Sequence, residues 1–192
     1  HFLSFRPRHF LKPVIGLQLG LSDIICGLNM GQTAEALAKE YGITRKEQDE
    51  FALMSHKRAF LAKEKLKEEI VPVIPGPGYD KVIEYDNGVR ENIKIEDLSK
   101  LKPYFDRYSG TVTVGNSCQI TDGACAILVM KEEKARELGF APLGFIRAYA
   151  YVGVEPGKMG IGPAFAIPRV LEKAKLKLTD IELFEINEAF AA

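Results

Sequence analysis

Apolar residues recur at helical spacing in the first third of the chain, and capping signals mark where the helices begin and end. Residues 33–41 have the pattern of a short helix, which Gly42 closes. Residues 44–47, Thr-Arg-Lys-Glu, have the form of a capping box, in which a hydroxyl and a carboxylate satisfy free helix amides reciprocally. Apolar residues then repeat at helical spacing to about Lys67, which predicts a second, long helix.

Short apolar runs bounded by turn residues predict strands over much of the remaining chain. Residues 124–130 are almost continuously apolar, as expected for a strand buried on both faces. Pro72 cannot donate to a ladder, so the run around it is typical of an edge strand. The predicted strands are residues 70–74, 82–85, 124–130, 144–152 and 183–186, and residues 111–114 are expected to be extended. Predicted helices at 132–138 and from Pro163 to about Lys175 alternate with strands, which indicates a layered α/β fold.

Composition and charge narrow the class of protein. The 192 residues suffice for one large domain or for pieces of two, and 46% hydrophobic with 27% charged content is ordinary for a globular protein. The 26 basic and 26 acidic side chains balance, whereas a nucleic-acid-binding surface normally tilts the charge towards basic. Three cysteines without a CxxC pair favour neither a disulfide framework nor a metal site. We therefore expect a reducing compartment, no nucleic-acid partner and no bound metal.

The two ends of the chain carry separate expectations. The sequence starts at His1 and stops within what reads as a new helix, so both ends read as cut from a longer chain. It shows no signal peptide and no apolar stretch of membrane-spanning length. Residues 1–30 are apolar and basic, which fits a surface-seeking segment that touches lipid headgroups or a partner subunit. Buried packing at a domain edge explains the same composition.

Polar residues follow the last predicted strand, where ligands commonly gather in open α/β sheets. Asn187 and Glu188 stand at this point, and an amide there can orient a water or donate to a developing oxyanion. Asn187 as the N-cap of a following helix is an equally good interpretation from spacing alone.

A second candidate segment is the run of small residues at 110–124. Its glycines, serine and threonines let backbone amides approach a ligand closely, and its hydroxyls can hydrogen-bond an amide of that ligand. Any tight turn shares this composition, so the pattern alone does not single out a binding loop.

Four blocks of sequence resemble the thiolase family in content and order. They are MGQTAEALAKEYGITRKEQDEFALMSHKRA at 30–59, GTVTVGNSCQITDGACAILVM at 110–130, MGIGPAFAIPRVLEKAKL at 159–176 and DIELFEINEAFAA at 180–192. Residues 10–30 are most similar to the β subunits of fatty-acid oxidation complexes. From these motifs the chain is identified as an interior part of a thiolase.

The resemblance implies an α/β class, namely the thiolase-like layered α/β/α/β/α fold, here incomplete and with an α-rich covering domain. It implies that residues 1–120 are the covering insertion above the coenzyme A. Residues 121–142 then correspond to the end of the N-terminal half, and residues 143–192 to the start of the C-terminal half.

The resemblance also implies roles for individual residues. Asn187 matches the asparagine that holds a water in an oxyanion hole. The substrate-binding positions implied in the same way are Met30, Arg90, Ser117, Cys118, Met159 and Phe190. Phe190 and the two methionines match pocket-lining residues, and Arg90 matches an arginine near the adenine and phosphate end of coenzyme A.

Two residues depart from the family pattern. Cys118 stands where thiolases usually have a Ser or Thr that touches the pantetheine arm, and a thiol is a weaker donor than a hydroxyl. Asn29 stands where some biosynthetic members have a histidine, which hints at a different acyl preference.

The activity implied for the parent protein is cleavage of a 3-ketoacyl-CoA with coenzyme A, giving acetyl-CoA and a shortened acyl-CoA. Coenzyme A is then a substrate, and no cofactor is bound permanently. In the family the nucleophilic cysteine precedes this stretch, and the catalytic histidine and second cysteine follow it, so we expect this chain alone to be inactive. The alternatives are a biosynthetic acetyl-CoA acetyltransferase and a non-catalytic module that binds coenzyme A or contacts a subunit.

The remaining Cys and His residues are expected to be structural. Cys26 and Cys125 read as packing residues, and the three histidines lie in no role-bearing position of the motifs, His56 being a surface or packing residue of the long helix. The resemblance further implies a homodimer or tetramer, with a hydratase/dehydrogenase α subunit and a membrane surface as further contacts to test. The expected location is the cytoplasm, with the mitochondrial matrix as the alternative.

Overall fold

A computed structural model describes residues 20–192 of the chain, which divide into two compact units. The described part of the first unit comprises residues 20–119, 155–160 and 188–192, and the second unit comprises residues 120–154 and 161–187. The predicted surface-seeking behaviour of the N-terminal segment falls mostly on residues 1–19, which lie outside the described residues.

Two helices near the start of the described residues begin at capping boxes and are joined by residues 42–44. Helix α1 is Met30–Tyr41, and it starts earlier than predicted because Asn29 and Gln32 cap it reciprocally. The Gln32 amide donates to Asn29 Oδ1 at 2.9 Å, and the Asn29 amide donates to Gln32 Oε1 at 3.0 Å. Gly42 ends α1 with a φ of 67°, a left-handed conformation that glycine adopts without strain.

Helix α2 is Arg45–Leu61, and it begins at the predicted capping box. The Thr44 amide donates to Glu47 Oε2 at 2.7 Å, and the Glu47 amide donates back to Thr44 Oγ1 at 3.3 Å. A single turn of helix, α3 at Lys63–Leu66, continues close to the predicted end of the long helix. The prediction of a long second helix is therefore confirmed, apart from a break at residue 62.

Helix α4, Ile95–Ser99, was not predicted, because five residues are too few to show a helical period. It packs against α2 and places Leu98 at 1% exposure. The core of the first unit is otherwise built from small and branched side chains. They are Ala34, Leu37, Ala38, Ala52 and Val112.

The strand predictions in the first unit hold only in part. Residues 70–74 and 82–85 meet in one antiparallel bridge, in which Val73 and Ile83 exchange hydrogen bonds of 3.0 and 2.8 Å. Residues 111–114 form no strand, because side chains rather than a neighbouring strand bind most of their amides.

The second unit contains two helices that were predicted and strands that are not formed. Helix α5 is Glu132–Glu137, and Gly139 follows it with a φ of 74°; helix α6 is Gly162–Ala174. Residues 124–130, 144–152 and 183–186 belong to no strand, and no backbone hydrogen bond links them to another strand among residues 20–192.

A strand needs a partner to satisfy its amides and carbonyls, whereas a helix satisfies them within itself. The apolar runs of the second unit lack such a partner in the described chain, and their side chains are exposed, Ile127 and Leu183 each to 82%. Two 3₁₀ segments complete the described chain, Pro156–Ile161, which has a kink at Lys158, and Leu178–Asp180. None of the helices described is both long and apolar enough to cross a membrane.

Candidate functional site

The small-residue loop at 111–117 is held from one side by helix α1. The carboxylate of Glu35 accepts the amide of Thr111 at 3.0 and 2.9 Å, and one of its oxygens accepts the amide of Val112 at 2.9 Å. A charged acceptor on two successive amides forms stronger hydrogen bonds than a neutral one. Glu35 therefore does for this loop what a neighbouring strand would do in a sheet.

Helix α2 holds the same loop from another side through buried polar groups. Asp49 is 2% exposed, and its Oδ1 accepts the side-chain amide of Asn116 at 3.0 Å. Asn116 in turn accepts the Thr113 amide at 2.7 Å, while Arg45 donates to the other oxygen of Asp49 at 2.8 Å. Because Asp49 and Asn116 both have partners in this network, the network restrains the conformation of the loop.

Gln48 adds a further contact from α2, since its Nε2 donates to Thr111 Oγ1 at 2.8 Å. Its Oε1 is buried and has no hydrogen-bond partner among the described residues. Sequence reasoning missed Glu35, Gln48, Asp49 and Asn116. The only signal in the sequence was that Gln48 and Asp49 stand close after the start of the predicted long helix. Polar residues at such positions are also ordinary on a solvated helix face.

The loop pairs with the last residues of the chain. The amide of Cys118 donates to the Ala189 carbonyl at 2.8 Å, and the Ala191 amide donates to the Asn116 carbonyl at 3.0 Å. Ser117 and Phe190 are the bridged pair of this antiparallel contact. The structure thus places three predicted substrate-binding residues, Ser117, Cys118 and Phe190, side by side.

Phe105 connects Phe190 to the start of α1. The two rings meet edge to face with centroids 5.8 Å apart. The Phe105 ring also lies directly on Gly31, where an added methyl group would overlap it. Met30 precedes this glycine and is 50% exposed. Phe105 was not anticipated, because nothing in its local sequence marks it as a bridge between two distant segments.

Met159 lies on a segment that is fastened to α1. Lys158 forms an ion pair with Glu40, with Nζ and Oε2 2.7 Å apart, and this hydrogen bond raises the pKa of Lys158. Gly160 lies against Leu37, whose Cδ1 would be 3.0 Å from an added Cβ. Helix α1 therefore begins at one predicted methionine and, near its other end, anchors the segment that carries the other.

Arg90 lies on an exposed loop that is tied down at two points. Its backbone amide donates to His56 Nδ1 at 3.3 Å, and the Gly88 carbonyl accepts Gln119 Nε2 at 3.1 Å. Partial burial and then the charge of Arg90 lower the pKa of His56. The loop is thus fastened both to α2 and to the residue that follows Cys118. His56, expected to be only a surface or packing residue, contacts the backbone of a predicted binding residue.

A small cavity of about 170 Å³ lies beside Arg90. Val89 and Glu91 line it from the loop, and Lys63 and Tyr85 are also part of its lining. The Lys63 ammonium is 4.2 Å from the centre of the Tyr85 ring, a cation–π distance. A lysine and an aromatic ring, together with the carboxyl side chains of Asp86 and Glu91, therefore lie next to the residue expected to meet the nucleotide end of coenzyme A.

Asn187 is the last residue of the second unit, where it is exposed and belongs to no helix or strand. Residues 187–192 are not helical, so Asn187 caps no helix in the described chain. Its neighbour Glu188 belongs to the first unit, and its carboxylate accepts the Ser55 hydroxyl proton at 2.5 Å. All three cysteines are free, and among residues 20–192 no three His, Cys, Asp or Glu side chains gather as a metal site.

Two family models account for almost the whole chain. The model of the thiolase N-terminal domain matches residues 10–133, and that of the thiolase C-terminal domain matches residues 140–192. The chain belongs to the thiolase family.

Curated thiolases are similar to this chain over nearly all of its length. The 3-ketoacyl-CoA thiolase of Pectobacterium carotovorum is 45% identical over 185 residues, which cover 94% of this chain and 42% of that protein. The 3-ketoacyl-CoA thiolase of Escherichia coli O157:H7 is 43% identical over 95% of this chain and 42% of its own length. This thiolase chain therefore spans less than half the length of these relatives.

Solved thiolase structures share the fold of this chain. The acetyl-CoA acetyltransferase of Bacillus anthracis superposes with a TM-score of 0.85 at 40% identity, covering 98% of this chain and 50% of the other. Human mitochondrial 3-ketoacyl-CoA thiolase in complex with CoA superposes with a TM-score of 0.84 at 38% identity, covering 91% and 44%. The prediction of an incomplete thiolase-like α/β fold is confirmed.

Proposed function

We propose that the protein to which this thiolase chain belongs is a degradative 3-ketoacyl-CoA thiolase. It cleaves the bond between C2 and C3 of a 3-ketoacyl-CoA and transfers the released acyl group to coenzyme A. The observation that carries the proposal is the pairing of residues 116–118 with residues 189–191, which brings the predicted pantetheine contacts beside Phe190. The curated relatives described above carry the same activity in their names.

The hydrogen bonds of the loop suggest how Ser117 and Cys118 meet the pantetheine arm. Ser117 donates its hydroxyl proton to the Thr113 carbonyl at 2.6 Å, so its oxygen is left to accept from a ligand amide. The backbone amide of Cys118 is used by Ala189, whereas its side chain is exposed. In this proposal Ser117 is the acceptor, and the Cys118 thiol makes a weaker contact than a hydroxyl would.

Arg90 and the adjoining cavity are proposed to meet the adenine and phosphate end of coenzyme A. A guanidinium can pair with phosphate oxygens and stack on an aromatic base. Lys63 adds a second positive charge in the lining of the cavity, which also contains Asp86 and Glu91. Met30, Met159 and Phe190 are proposed to line the acyl pocket, and coenzyme A acts as a substrate rather than a permanent cofactor.

A biosynthetic acetyl-CoA acetyltransferase is the second candidate, favoured by the superposition on the Bacillus anthracis enzyme of that name. Asn29 bears on the choice, since it stands where some biosynthetic thiolases have a histidine. Here the Asn29 side chain is engaged in capping α1, with Oδ1 2.9 Å from the Gln32 amide. Because the Asn29 side chain caps α1, we assign Asn29 a structural role rather than the role of the biosynthetic histidine. This assignment favours the degradative reaction.

Partners and location are proposed on the same basis. A homodimer or tetramer is proposed from membership of the thiolase family. A hydratase/dehydrogenase α subunit is proposed from the similarity of residues 10–30 to β subunits of fatty-acid oxidation complexes. The bacterial sources of the curated relatives support a cytoplasmic location over the mitochondrial matrix. The division at residues 120 and 142 and a contact with a membrane surface stay predictions.

Asn187→Ala in the full-length protein tests the proposal. If Asn187 orients a water at the oxyanion, its loss should lower kcat for 3-ketoacyl-CoA thiolysis by about ten- to a thousandfold, as when an oxyanion contact is removed. The measurement is release of acetyl-CoA from 3-ketoacyl-CoA substrates of increasing chain length, with the 192-residue chain as an inactive control. Unchanged turnover would remove Asn187 from the reaction. Absence of thiolysis in the unsubstituted full-length protein would leave the non-catalytic alternative.

A further inference from the structure

Two consecutive residues of α2 contact two different segments of the candidate site. Ser55 donates its hydroxyl proton to Glu188 Oε2 at 2.5 Å, and His56 Nδ1 accepts the backbone amide of Arg90 at 3.3 Å. Successive residues of a helix are separated by about 100° and a rise of about 1.5 Å. Helix α2 therefore contacts both segments at nearly the same height, from two of its sides.

The remainder of α2 is anchored independently of these two contacts. Arg45 donates to the carbonyls of Leu98 and Leu101 at 2.6 and 2.9 Å, and Asp49 binds Asn116 in the buried network. Ser55 and His56 lie further along and are only half-buried. Removing either side chain should leave the helix in place, so an effect on the site would come through the contact itself.

Ser55 binds the segment that contains Glu188 and Phe190. Backbone hydrogen bonds already pair this segment with residues 116–118, and the contact from Ser55 to Glu188 ties it to α2 as well. A hydroxyl bound to a carboxylate is a charge-assisted hydrogen bond and holds its partners at a short, defined distance. Glu188 shares a peptide bond with Asn187 and lies two residues before the proposed acyl-pocket wall.

His56 acts on the loop that carries Arg90. Nδ1 can accept the amide proton only while this nitrogen is unprotonated. Partial burial, and after it the nearby charge of Arg90, lowers the pKa of His56, which favours the neutral form. The acceptor is therefore present at neutral pH.

We propose that Ser55 and His56 are positioning residues for opposite ends of the coenzyme A substrate. Ser55 sets the segment beside the reacting acyl group, and His56 sets the loop at the nucleotide end. The proposal rests on the proposed function, because the two ends are defined by the roles given to Phe190 and Arg90.

The test separates kcat from KM in the full-length protein. Ser55→Ala should lower kcat for thiolysis by about tenfold with the KM for coenzyme A unchanged, since small displacements of groups near the reacting atoms are costly. His56→Ala should raise the KM for coenzyme A by about tenfold with kcat unchanged, since it loosens a binding loop. Ser55→Thr and His56→Asn, which keep a donor and an acceptor respectively, should restore most of each loss.

Ser109→Ala is the matched control. The Ser109 hydroxyl also donates to a carboxylate at 2.5 Å, that of Asp106, and the other hydrogen bonds of this carboxylate come from the amides of Tyr108 and Ser109, neither of which has a proposed role in binding. Loss of the Ser109 hydroxyl should change neither kcat nor the KM for coenzyme A. The proposal is overturned if Ser55→Ala and His56→Ala alter the same constant, if neither alters any, or if Ser109→Ala has an effect as large as theirs.

A second measurement does not depend on thiolase activity. In the 192-residue chain the amide of Arg90 should exchange its hydrogen at least about tenfold faster in His56→Ala than in the unsubstituted chain or in Ser55→Ala. An unchanged exchange rate would overturn the role of His56. If Arg90 responds in this way while the full-length protein shows no thiolysis, the proposed function fails and the structural contact stands.

Discussion

Apolar residues form a buried core in the first unit of the chain, whereas those of the apolar runs in the second unit are mostly exposed. In the first unit Leu98 is 1% exposed and Val112 is fully buried, under helices that also bind the loop at 111–117. In the second unit Ile127 and Leu183 are each 82% exposed, and the runs that contain them form no sheet among residues 120–154 and 161–187. The difference follows from the source of the backbone hydrogen-bond partners. A helix pairs its amides and carbonyls within itself, whereas a strand needs a neighbouring strand.

The first unit shows how a loop can be fixed without a sheet. Side chains of Glu35 and Asn116 accept the amides of residues 111–113, and Asp49 holds Asn116. In the apolar runs of the second unit, no amide is bound by a side chain of residues 20–192. Polar side chains on rigid helices therefore define the part of the site that this chain builds.

The largest expected effect comes from breaking the buried network of the first unit. Asp49→Ala removes the acceptor of Asn116 and Arg45, and should lower the free energy of unfolding by about 2–4 kcal/mol, because buried polar partners are left unpaired. Urea denaturation followed by circular dichroism at 222 nm measures the change.

Lys46→Ala is the control for this variant. Lys46 forms an ion pair with Glu50 at 3.7 Å on the same helix and with the same i,i+4 spacing, but both side chains are exposed. Its removal should cost less than about 0.5 kcal/mol. Equal destabilisation by Asp49→Ala and Lys46→Ala would show that the buried network does not hold the first unit.

A smaller effect is expected from adding one methyl group to each unit. Gly31→Ala places a methyl group against the Phe105 ring, and overpacking of this kind should cost about 1–3 kcal/mol of the free energy of unfolding. Gly123→Ala in the second unit meets nothing within 4 Å and should change stability by less than about 0.5 kcal/mol. The same denaturation assay compares them, and a tolerated Gly31→Ala would contradict the packing of Phe105 on α1.

Local sequence signals predicted the helices well. The capping box at Thr44 and Glu47 and the glycines at 42 and 139 mark helix ends where the structure has them. The capping box of Asn29 and Gln32 was not predicted, because the helical pattern was placed at residues 33–41, after both residues. Such signals depend on residues three or four apart, which the sequence shows directly.

Contacts between distant segments could not be predicted in this way. The binding positions came from the family resemblance, which said nothing of what holds them. The roles of Asp49, Phe105 and His56 depend on partners 67, 85 and 34 residues away, respectively. The strands of the second unit were overpredicted for a related reason, since an apolar run shows that a segment can join a sheet but not that a partner is present.

Amide hydrogen exchange along the 192-residue chain tests most directly whether the first unit holds the site loop by itself. The amides of Thr111, Val112 and Thr113 are each bound to a side-chain oxygen, and they should exchange at least about a hundredfold more slowly than those of residues 127–129. That result would support a loop fixed by α1 and α2. Equally fast exchange in both segments would contradict it.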